Sequence, residues 1–359
     1  MEMTDIYLLR HAETDAGKGL CIGRRETRLS EKGKKRTAAL AGWLKENLSD
    51  VTAVYTSPLQ RAETTAGIIA QAYGLTPVYD EGLMEIDTGV WDGLSFAEIK
   101  EQYPEEYEKR GADPWHYRIE NGETFEEVAR RVNDDVLRIA AGEKTALIVT
   151  HKGAINALRI HLHQAEENEI LNLACANLSI LPLRIRDGIL SAVSEPYRPE
   201  VLLDDEMIRE LWRKHQTPEH VIRHMAAVAA YALQSIAGTK GIFHAERIRK
   251  AALLHDLDRL QPHHAAVCAE SLRREGFWEI AAMIAVHHRE EYDPDADLTD
   301  ADILWYADKC VLEDRIVGIE ERFAASRKKC KSEEALIHHQ RRYEKAVWIR
   351  HKLEEEKQR

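Results

Sequence analysis

Four nitrogen-bearing side chains lie at the ends of apolar runs in the first half of the sequence. Arg10 and His11 end the first run. Arg61 follows the second run, and His151 ends a later one. Forked guanidinium donors match the oxygens of a phosphoryl dianion and neutralise the charge that spreads during its transfer. A neutral imidazole nitrogen among them can attack phosphorus. If these side chains meet, they predict a phosphoryl-transfer site.

Histidines cluster in the second half of the sequence. Nine of the seventeen histidines fall between His215 and His288. Imidazoles and carboxylates that converge from several helices are how a helical bundle builds a metal centre. A metal bound there lowers the pKa of a bound water and makes hydroxide available near neutral pH. The clustering therefore predicts a second, metal-dependent site.

The elements that position the first site alternate. Short β-branched or apolar runs are followed by amphipathic helices, which is typical of a mostly parallel sheet covered by helices. Functional groups gather where parallel strands end, because the loops leave the sheet at that edge. The four side chains are therefore expected at one edge, and Ser30 and Thr124 are predicted helix starts. The predicted strands are 6–11, 53–58, 146–151, 177–184 and 188–195, and the predicted helices are Glu31–Leu48, Leu59–Tyr73 and Thr124–Ala141.

The strand pattern ends at a segment with two prolines and no periodicity, EPYRPEV, which indicates a linker. We predict an α/β domain over 1–196, a linker over 197–203, an all-α domain over 204–330 and a charged C-terminal helix over 331–359. Two arrangements are open for that helix, partly free in solution or paired with another chain in a homo-oligomer. The helices predicted after the linker are Asp204–Lys214, Pro218–Ala237, His244–Asp256, His263–Glu275, Trp278–His288, Asp300–Ala324 and Glu333–Lys357.

Composition excludes several partners. The formal net charge is −12, and no basic stripe with interleaved aromatics follows the sequence, so we expect no nucleic-acid polymer as partner. The sequence has no run of about 18 apolar residues, so we expect no membrane span. The N-terminus is too short and acidic for a signal peptide, so a cytoplasmic protein is expected. The five cysteines are widely spaced without a CxxC pair, which favours packing roles over disulfides or zinc.

The first half resembles the histidine phosphatase family, also called the phosphoglycerate-mutase-like superfamily, from residue 4 to about residue 195. The resemblance implies that His11 is the nucleophile and that Arg10, Arg61 and His151 bind the transferred phosphoryl group. It also implies that Glu85 is the proton donor, which is needed because an alkoxide leaves poorly. No cofactor is expected here. The motifs that carry the resemblance are LLRHAET (8–14), GRRETRLSEKG (23–33), SPLQRAETTA (57–66), LMEIDTGVWDG (83–93) and VTHKGAINALR (149–159).

Within that family the sequence is most similar to the α-ribazole phosphatases, which pair an RHAET motif with a GR-x-D-x-x-L segment. Glu26 stands where that segment usually has aspartate. The family often has an asparagine shortly after its first motif, where this chain has Asp15, and we expect Arg24 to supply the phosphate contact instead. The short stretch between Glu85 and His151 leaves little room for the substrate cap of glycolytic mutases, which favours a phosphatase.

The second half resembles the HD superfamily of metal-dependent phosphohydrolases over residues of about 215 to 325. The resemblance implies that one divalent cation, such as Mn, Fe or Mg, is held by four side chains, and that dinuclear members hold a second one. His288 is an alternative to His287, and His263 is an alternative to His264. The expected ligands of the first ion are His224, His255, Asp256 and Asp308, and those of the second are His264 and His287.

Three hypotheses about function follow. The first is a bifunctional enzyme whose phosphatase acts on a small phosphate ester and whose HD domain hydrolyses a nucleotide-like phosphate. The second keeps the phosphatase and makes the HD domain a regulatory module that binds a metal or nucleotide. The third is a mutase that returns phosphate to a second hydroxyl of the same sugar acid.

Overall fold

A computed structural model describes residues 3–17 and 19–358 of the chain. The chain divides into two compact units, Met1–Leu202 and Leu203–Arg359. No helix in the described part of the chain is long and apolar enough to cross a membrane.

The first unit is built on a mixed sheet, which within the described residues has six strands in the order β3-β2-β4-β1-β5-β6. The pairs β1–β4, β2–β4 and β2–β3 are parallel, whereas β5 runs antiparallel to β1 and β6 antiparallel to β5. Every residue of β4 is buried, as expected for a strand covered by helices on both faces. The strands are β1 Met3–Arg10, β2 Ala53–Thr56, β3 Val78–Tyr79, β4 Thr145–Thr150, β5 Ile180–Arg186 and β6 Ile189–Ala192.

Three helices of the first unit begin at a residue whose side chain caps the helix. Ser30 accepts a hydrogen bond from the backbone N–H of Gly33, and Thr124 forms a capping box with Glu127, so both predicted helix starts are confirmed. The helices are α1 Glu31–Asn47, α2 Gln60–Tyr73, α3 Phe96–Gln102, α4 Pro104–Ala112, α5 Phe125–Gly142 and α6 Lys152–His161, with short 3₁₀ turns at Glu81–Leu83, Gly89–Trp91, Glu167–Glu169 and Glu200–Leu202.

Four elements of this unit were not predicted. They are β3, α3, α4 and α6. β3 has only two residues, both exposed, so it lacks the alternation that predicts a strand. α6 begins directly after the fully buried strand β4, and the apolar run of the strand hides where the helix starts.

The second unit is helical, and the predicted α/β fold followed by a helical domain is confirmed. Its small exception is a hairpin of two short antiparallel strands, β7 Val311–Leu312 and β8 Arg315–Ile316. The helices are α7 Asp205–Lys214, α8 Glu219–Ile236, α9 Ala245–Ala252, α10 His264–Arg274, α11 Trp278–Ala285, α12 Asp300–Lys309, α13 Ile319–Arg327 and α14 Glu333–Gln358.

Three helix predictions in this unit are wrong at their ends. α9 ends at Ala252 and α11 ends at Ala285, a few residues before the predicted limits. The single helix predicted over Asp300–Ala324 is instead α12, the β7–β8 hairpin and α13. Glu313 adopts a left-handed backbone with φ of 58°, which a continuing helix does not tolerate. His255 and Asp256, which follow α9, and His287 and His288, which follow α11, therefore lie in turns.

The C-terminal helix α14 packs on its own unit instead of standing free. Ala346 and Ile349 have no exposed surface, and Lys345 and Leu353 are each 5% exposed. These positions share one face of the helix. α14 is therefore part of the second unit.

Candidate active site and candidate metal centre

The register of two strands brings His11 and His151 together. β1 and β4 run parallel with Arg10 opposite Thr150. The backbone N–H of His11 donates to the carbonyl of Thr150 at 2.9 Å. The next residue of each strand is therefore a histidine at the same edge, and their ring centroids lie 5.2 Å apart.

The His11 ring is held with one nitrogen available. Its Nδ1 lies 2.7 Å from the carbonyl oxygen of Ala12, which can only accept, so Nδ1 carries the hydrogen. Burial, together with the Arg10 and Arg61 guanidiniums, holds the pKa of His11 well below its ordinary value. The ring is neutral near pH 7, and its Nε2 lone pair is free to attack.

Backbone carbonyls orient the two arginines beside this ring. Arg10 donates from Nη1 to the carbonyl of Cys175 at 2.6 Å. Arg61, which is 2% exposed, donates to the carbonyls of Arg25 at 2.8 Å and Gly23 at 2.6 Å. A carbonyl fixes a guanidinium without neutralising its charge. Both side chains therefore keep a full positive charge for an anion.

His151 is the fourth predicted member of this group, and it has no exposed surface. Its Nε2 lies 2.8 Å from Oγ of Ser57, and its Nδ1 has no hydrogen-bond partner among the described residues. Burial, followed by the neighbouring His11 and Arg61 side chains, holds the pKa of His151 well below its ordinary value. A hydroxyl that donates to Nε2 would leave a hydrogen on Nδ1 for a ligand oxygen.

Backbone N–H groups orient the Glu85 carboxylate. Oε1 accepts from Ile86 at 2.9 Å, and Oε2 accepts from Gly153 at 3.0 Å, in the first turn of α6. A Cβ added at Gly153 would lie 2.3 Å from Glu85 Oε1, so a larger residue there would displace the carboxylate. Arg131 donates to the backbone carbonyl of Glu85 at 3.1 Å and fixes the segment that carries it.

Arg24 lies beside the same segment. Its Nε is 3.3 Å from the Glu85 carbonyl, and its Nη2 is 3.0 Å from the carboxylate of Glu123. Its side chain is 32% exposed. The structure therefore places Arg24 near Glu85, with a carboxylate already paired to it.

Sequence reasoning missed several residues of this site. Ser57 and Lys152 lie inside two of the quoted motifs, which was the available signal. Lys152 follows His151 directly, and burial and the nearby Arg10 lower its pKa. Arg131 lies in the middle of α5 and carries no signal in the sequence. Asn177 donates to the carbonyl of His11 at 2.9 Å from a loop before β5.

The predicted ligands of the first cation converge in the second unit. His224 Nε2 lies 3.2 Å from Asp308 Oδ1 and 3.9 Å from Asp256 Oδ2. His255 Nε2 lies 3.6 Å from Asp256 Oδ2 and 3.7 Å from Asp308 Oδ1. His255 and Asp256 follow α9 in a turn, while the other two lie on α8 and α12.

Backbone carbonyl oxygens contact Nδ1 of three histidines of the candidate metal centre. Nδ1 of His224 is 2.6 Å from the Glu313 carbonyl, and Nδ1 of His255 is 2.8 Å from that of Ala252. His287 makes the same contact at 2.6 Å with Ile284. The Nε2 atoms are therefore the ones that can offer a lone pair to a metal, and a carbonyl on the far nitrogen is the usual support of a metal-bound imidazole.

The arrangement fits a divalent cation. Nε2 of His255 and of His287 is buried without a hydrogen-bond partner in the part of the chain that the structure describes. Burial would lower the pKa of His255, but Asp256 and Asp308 outweigh it and raise that pKa. Imidazole nitrogens that converge on carboxylates are ligands for Zn, Fe, Mn or similar ions.

A second group of imidazoles adjoins the first. Ligand atoms of His264, His287 and His288 lie within 4.8 Å of one another. His264 Nε2 is 3.2 Å from Asp256 Oδ1, which links the two groups. Burial and Lys309 lower the pKa of His288 to about 4.

The two alternatives left open by the sequence are arranged differently. His263 is exposed, with a left-handed backbone at φ 53°, and His264 is the member that faces Asp256. His287 and His288 both face His264, so they are neighbours in one group. Sequence reasoning missed the two cations next to the carboxylates: Arg259 lies 3.1 Å from Asp256, and Lys309 pairs with Asp308.

Comparisons with known proteins agree with both regions. The profile of the histidine phosphatase superfamily (branch 1) matches residues 6–194, and the profile of the HD domain matches residues 221–326. Phosphoserine phosphatase 1 of Hydrogenobacter thermophilus is 31% identical over 180 residues, which cover 49% of this chain and 84% of that protein.

Other relatives match a similar share of this chain and differ in how much of their own length is matched. Bifunctional protein Rv2228c of Mycobacterium tuberculosis is 38% identical over 158 residues, and the chain spans 43% of that protein. The solved structure of Bacillus stearothermophilus YhfR is 28% identical with a TM-score of 0.49, covering 54% of this chain and 96% of that one. The superfamily match alone covers more than half of the chain. The chain therefore belongs to the histidine phosphatase superfamily, is a phosphoric ester hydrolase, and carries an HD domain in its second half.

Proposed function

We propose that the first unit is a phosphomonoesterase that works through a phosphohistidine. The observation that carries this proposal is a buried neutral ring, His11, with a free Nε2 beside two arginines that form no ion pair with a carboxylate among the described residues. Nε2 attacks phosphorus while the bond from phosphorus to the leaving oxygen breaks. Glu85 gives its proton to that oxygen. Water then attacks the phosphohistidine, Glu85 takes up a proton from it, and phosphate leaves.

Hydrolysis of p-nitrophenyl phosphate without metal tests this proposal. In the full chain treated with EDTA, we expect His11→Ala to abolish release of p-nitrophenol. Asp256→Ala removes a carboxylate of the other unit and is expected to leave that rate unchanged. An equal loss in both variants would mean that the residues are misassigned.

A mutase would need the phosphoryl group to return to substrate. Release of inorganic phosphate from 3-phosphoglycerate without an added acceptor separates the two activities. We expect one inorganic phosphate to be released for each 3-phosphoglycerate consumed, because water is the proposed acceptor of the phosphoryl group from phosphohistidine.

The substrate of this unit is proposed to be a small phosphate ester similar to α-ribazole phosphate. The basis is the segment around Arg24, whose guanidinium lies beside Glu85. A panel of α-ribazole phosphate, phosphoserine, phosphoglycerates and nucleoside monophosphates would rank the candidates by kcat/KM. An Arg24→Met variant would report whether that side chain contributes to the preference.

The second unit is proposed to be a metal-dependent phosphohydrolase that acts on a nucleotide-like phosphate. A divalent cation there would supply Lewis acidity and make hydroxide available near neutral pH. Arg259 and Lys309 lie against the carboxylates and can face an anionic substrate. The ligands proposed for one ion are His224, His255, Asp256 and Asp308, and those proposed for a second are His264 and His287, with His288 beside them.

Metal analysis of the freshly purified chain tests this part. We expect manganese, iron or another divalent metal to be present and to be lost in His255→Ala. His244→Ala, which changes an exposed histidine of the same unit, is the control. A regulatory HD module would bind metal but hydrolyse no nucleotide, so nucleotide hydrolysis that disappears in Asp256→Ala would argue against it.

The two units are proposed to be separate domains, 1–196 and 204–330, with the linker at 197–203 and the last helix at 331–359. The division of the chain between Leu202 and Leu203 supports this. Tyr197, the first residue of the proposed linker, pairs through its backbone with Ile180 beside the sheet. The part of the linker that follows this pairing is therefore short.

A further inference from the structure

The loop that follows α11 carries two histidines of the candidate metal centre, and the C-terminal helix binds that loop at several points. His287 and His288 open the loop, which runs from residue 286 to residue 299 before α12 begins. α14 lies outside residues 221–326, the part of the chain that matches the HD domain. The loop is therefore supported by a segment that belongs to this chain's own C-terminal extension.

Lys345 makes the central contact. Its side chain is 6% exposed, and its ammonium lies 3.2 Å from the carbonyl of Arg289 and 3.3 Å from that of Glu291. The carboxylate of Asp302 on α12 lies 3.6 Å from the ammonium, which is an ion-pair distance. Lys345 therefore donates to two carbonyls and pairs with one carboxylate. The two carbonyls follow His288 at once, so this contact fixes the backbone that carries the pair.

Other residues of α14 bind the same loop. The Glu290 carboxylate lies 2.7 Å from His338 Nδ1 and 2.9 Å from Arg342 Nε. Trp348 donates to the carbonyl of Pro294 at 3.2 Å, and its ring lies 4.8 Å from that of Tyr292. Contacts thus span three turns of the helix and several residues of the loop.

The same ammonium also reaches the helix that carries Asp308. Lys345 Nζ lies 5.0 Å from the ring centroid of Trp305, and Lys309, which pairs with Asp308, lies 5.5 Å from that centroid. Cations near an indole ring are attracted to its face. One buried lysine therefore joins the loop to α12.

We infer that α14, through Lys345, positions His287 and His288 to bind the second cation together with His264. Lys345 acts as a positioning residue, since it contacts the backbone beside the ligands and not the ligand atoms. This inference rests on the proposed metal-dependent function of the second unit. Loss of a group that orients metal ligands typically weakens binding about 10- to 100-fold.

The test uses the full chain freed of metal with EDTA and titrated with Mn²⁺ by calorimetry. Wild type is expected to bind two ions, and Lys345→Met to bind one of them about 10- to 100-fold more weakly. Hydrogen exchange of the amides between residues 287 and 291 gives a readout independent of metal. Those amides are expected to exchange faster in Lys345→Met.

Two controls separate positioning from general destabilisation. Leu353→Ala removes a buried side chain from the same helix about two turns beyond Lys345, and it is expected to lower Tm while leaving Mn²⁺ affinity unchanged. Lys357→Met makes the same chemical change at an exposed position. If Lys345→Met does not fold, Arg342→Met replaces it. This variant removes a half-exposed contact to Glu290 and is expected to weaken the binding of the same Mn²⁺ ion.

Each contrary result has its own meaning. Unchanged Mn²⁺ affinity and unchanged exchange in Lys345→Met, or in Arg342→Met if that replaces it, overturn the inference alone. An equal loss of affinity in Leu353→Ala also overturns it. A wild type that binds a single ion removes the second cation and the inference with it. A wild type that binds none overturns the metal proposal itself.

Discussion

Backbone carbonyls contact Nδ1 of His11 in the first unit and of three histidines of the candidate metal centre in the second. In the first unit, Ala12 fixes His11, so that Nε2 faces the cationic pocket. In the second unit, Ala252 fixes His255 in the same way. A carbonyl accepts but cannot donate, so it decides which nitrogen keeps the hydrogen. One local contact therefore leaves Nε2 available on the proposed nucleophile of one site and on a proposed metal ligand of the other.

The pH dependence of the phosphatase follows from the His11 ring. The ring attacks only when neutral, so activity is lost as the pH falls through its pKa in the free enzyme. Burial and the two guanidiniums hold that pKa well below 6.5, so the acid limb of kcat/KM is expected well below pH 6.5. The measurement is a pH profile with p-nitrophenyl phosphate, corrected for the ionisation of the substrate.

The arginine contribution to that limb can be separated. In Arg61→Met one of the two charges is gone, so the limb is expected to move to higher pH while the rate falls. An acid limb at or above pH 6.5 in wild type would contradict the assignment of His11 as a buried neutral nucleophile.

Ser57 should matter through the tautomer of His151. Its hydroxyl is the hydrogen-bond partner of His151 Nε2 at 2.8 Å. Loss of one buried hydrogen bond is worth about 1.4 kcal/mol, so Ser57→Ala is expected to lower kcat for p-nitrophenyl phosphate about tenfold. Ser57→Thr keeps the hydroxyl and is expected to retain most of the rate. A threonine variant as slow as the alanine one would point to packing instead.

At the scale of elements, the first turn of α6 connects both halves of the proposed chemistry. His151 is the residue before the helix, and Gly153 inside the first turn donates to Glu85. The helix N-terminus therefore positions His151, the proposed phosphate-binding group, and Glu85, the proposed proton donor, together. Its positive dipole end also favours an anion.

Gly153→Ala is expected to separate these two roles. The added Cβ would lie 2.3 Å from Glu85 Oε1, so the carboxylate must move. A displacement of about 1 Å in a catalytic group can cost on the order of 10²-fold in rate. We expect kcat to fall by about that much, while inhibition by inorganic phosphate is largely kept. Gly111→Ala, where a Cβ meets nothing within 4 Å, is the control, and loss of phosphate binding in Gly153→Ala would contradict the argument.

The elements of the first unit were largely predictable, because the strands are buried apolar runs that end at polar residues. The edge where His11 and His151 meet follows from that pattern together with parallel pairing. In the second unit the pattern predicted helices that run too far. α9 ends before His255, and α11 ends before His287. These two histidines turn inward from loops, and as polar residues they contribute to neither the helical nor the strand pattern of apolar residues.

Residues that support the sites were not predictable from spacing. Arg131 lies on an ordinary amphipathic helix, and only the fold shows that its guanidinium reaches the carbonyls of Gly82 and Met84. Lys345 lies on a helix rich in charges, where a buried lysine looks like any exposed one. Such contacts depend on tertiary packing between distant segments, which local sequence does not encode.

At the scale of the whole molecule, the two units differ in what they need to be stable. The first unit buries neutral rings and arginines held by carbonyls, which need no bound ion. The second unit buries Asp256 and Asp308 among imidazoles, and Nε2 of His255 has no hydrogen-bond partner among the residues described. A cation that binds only the folded form stabilises it by mass action.

Calorimetry of the full chain should therefore show two transitions, of which only one responds to metal. At a Mn²⁺ concentration of about 100 times Kd, binding adds about 2.7 kcal/mol to the stability of the second unit. We expect EDTA to lower that transition and leave the other in place, and His255→Ala to lose the response to Mn²⁺. Since His11 lies in the other unit, His11→Ala should keep it. A shift of both transitions with metal would mean that the units do not unfold separately, because backbone carbonyls hold Arg10 and Arg61 of the first site without a bound cation.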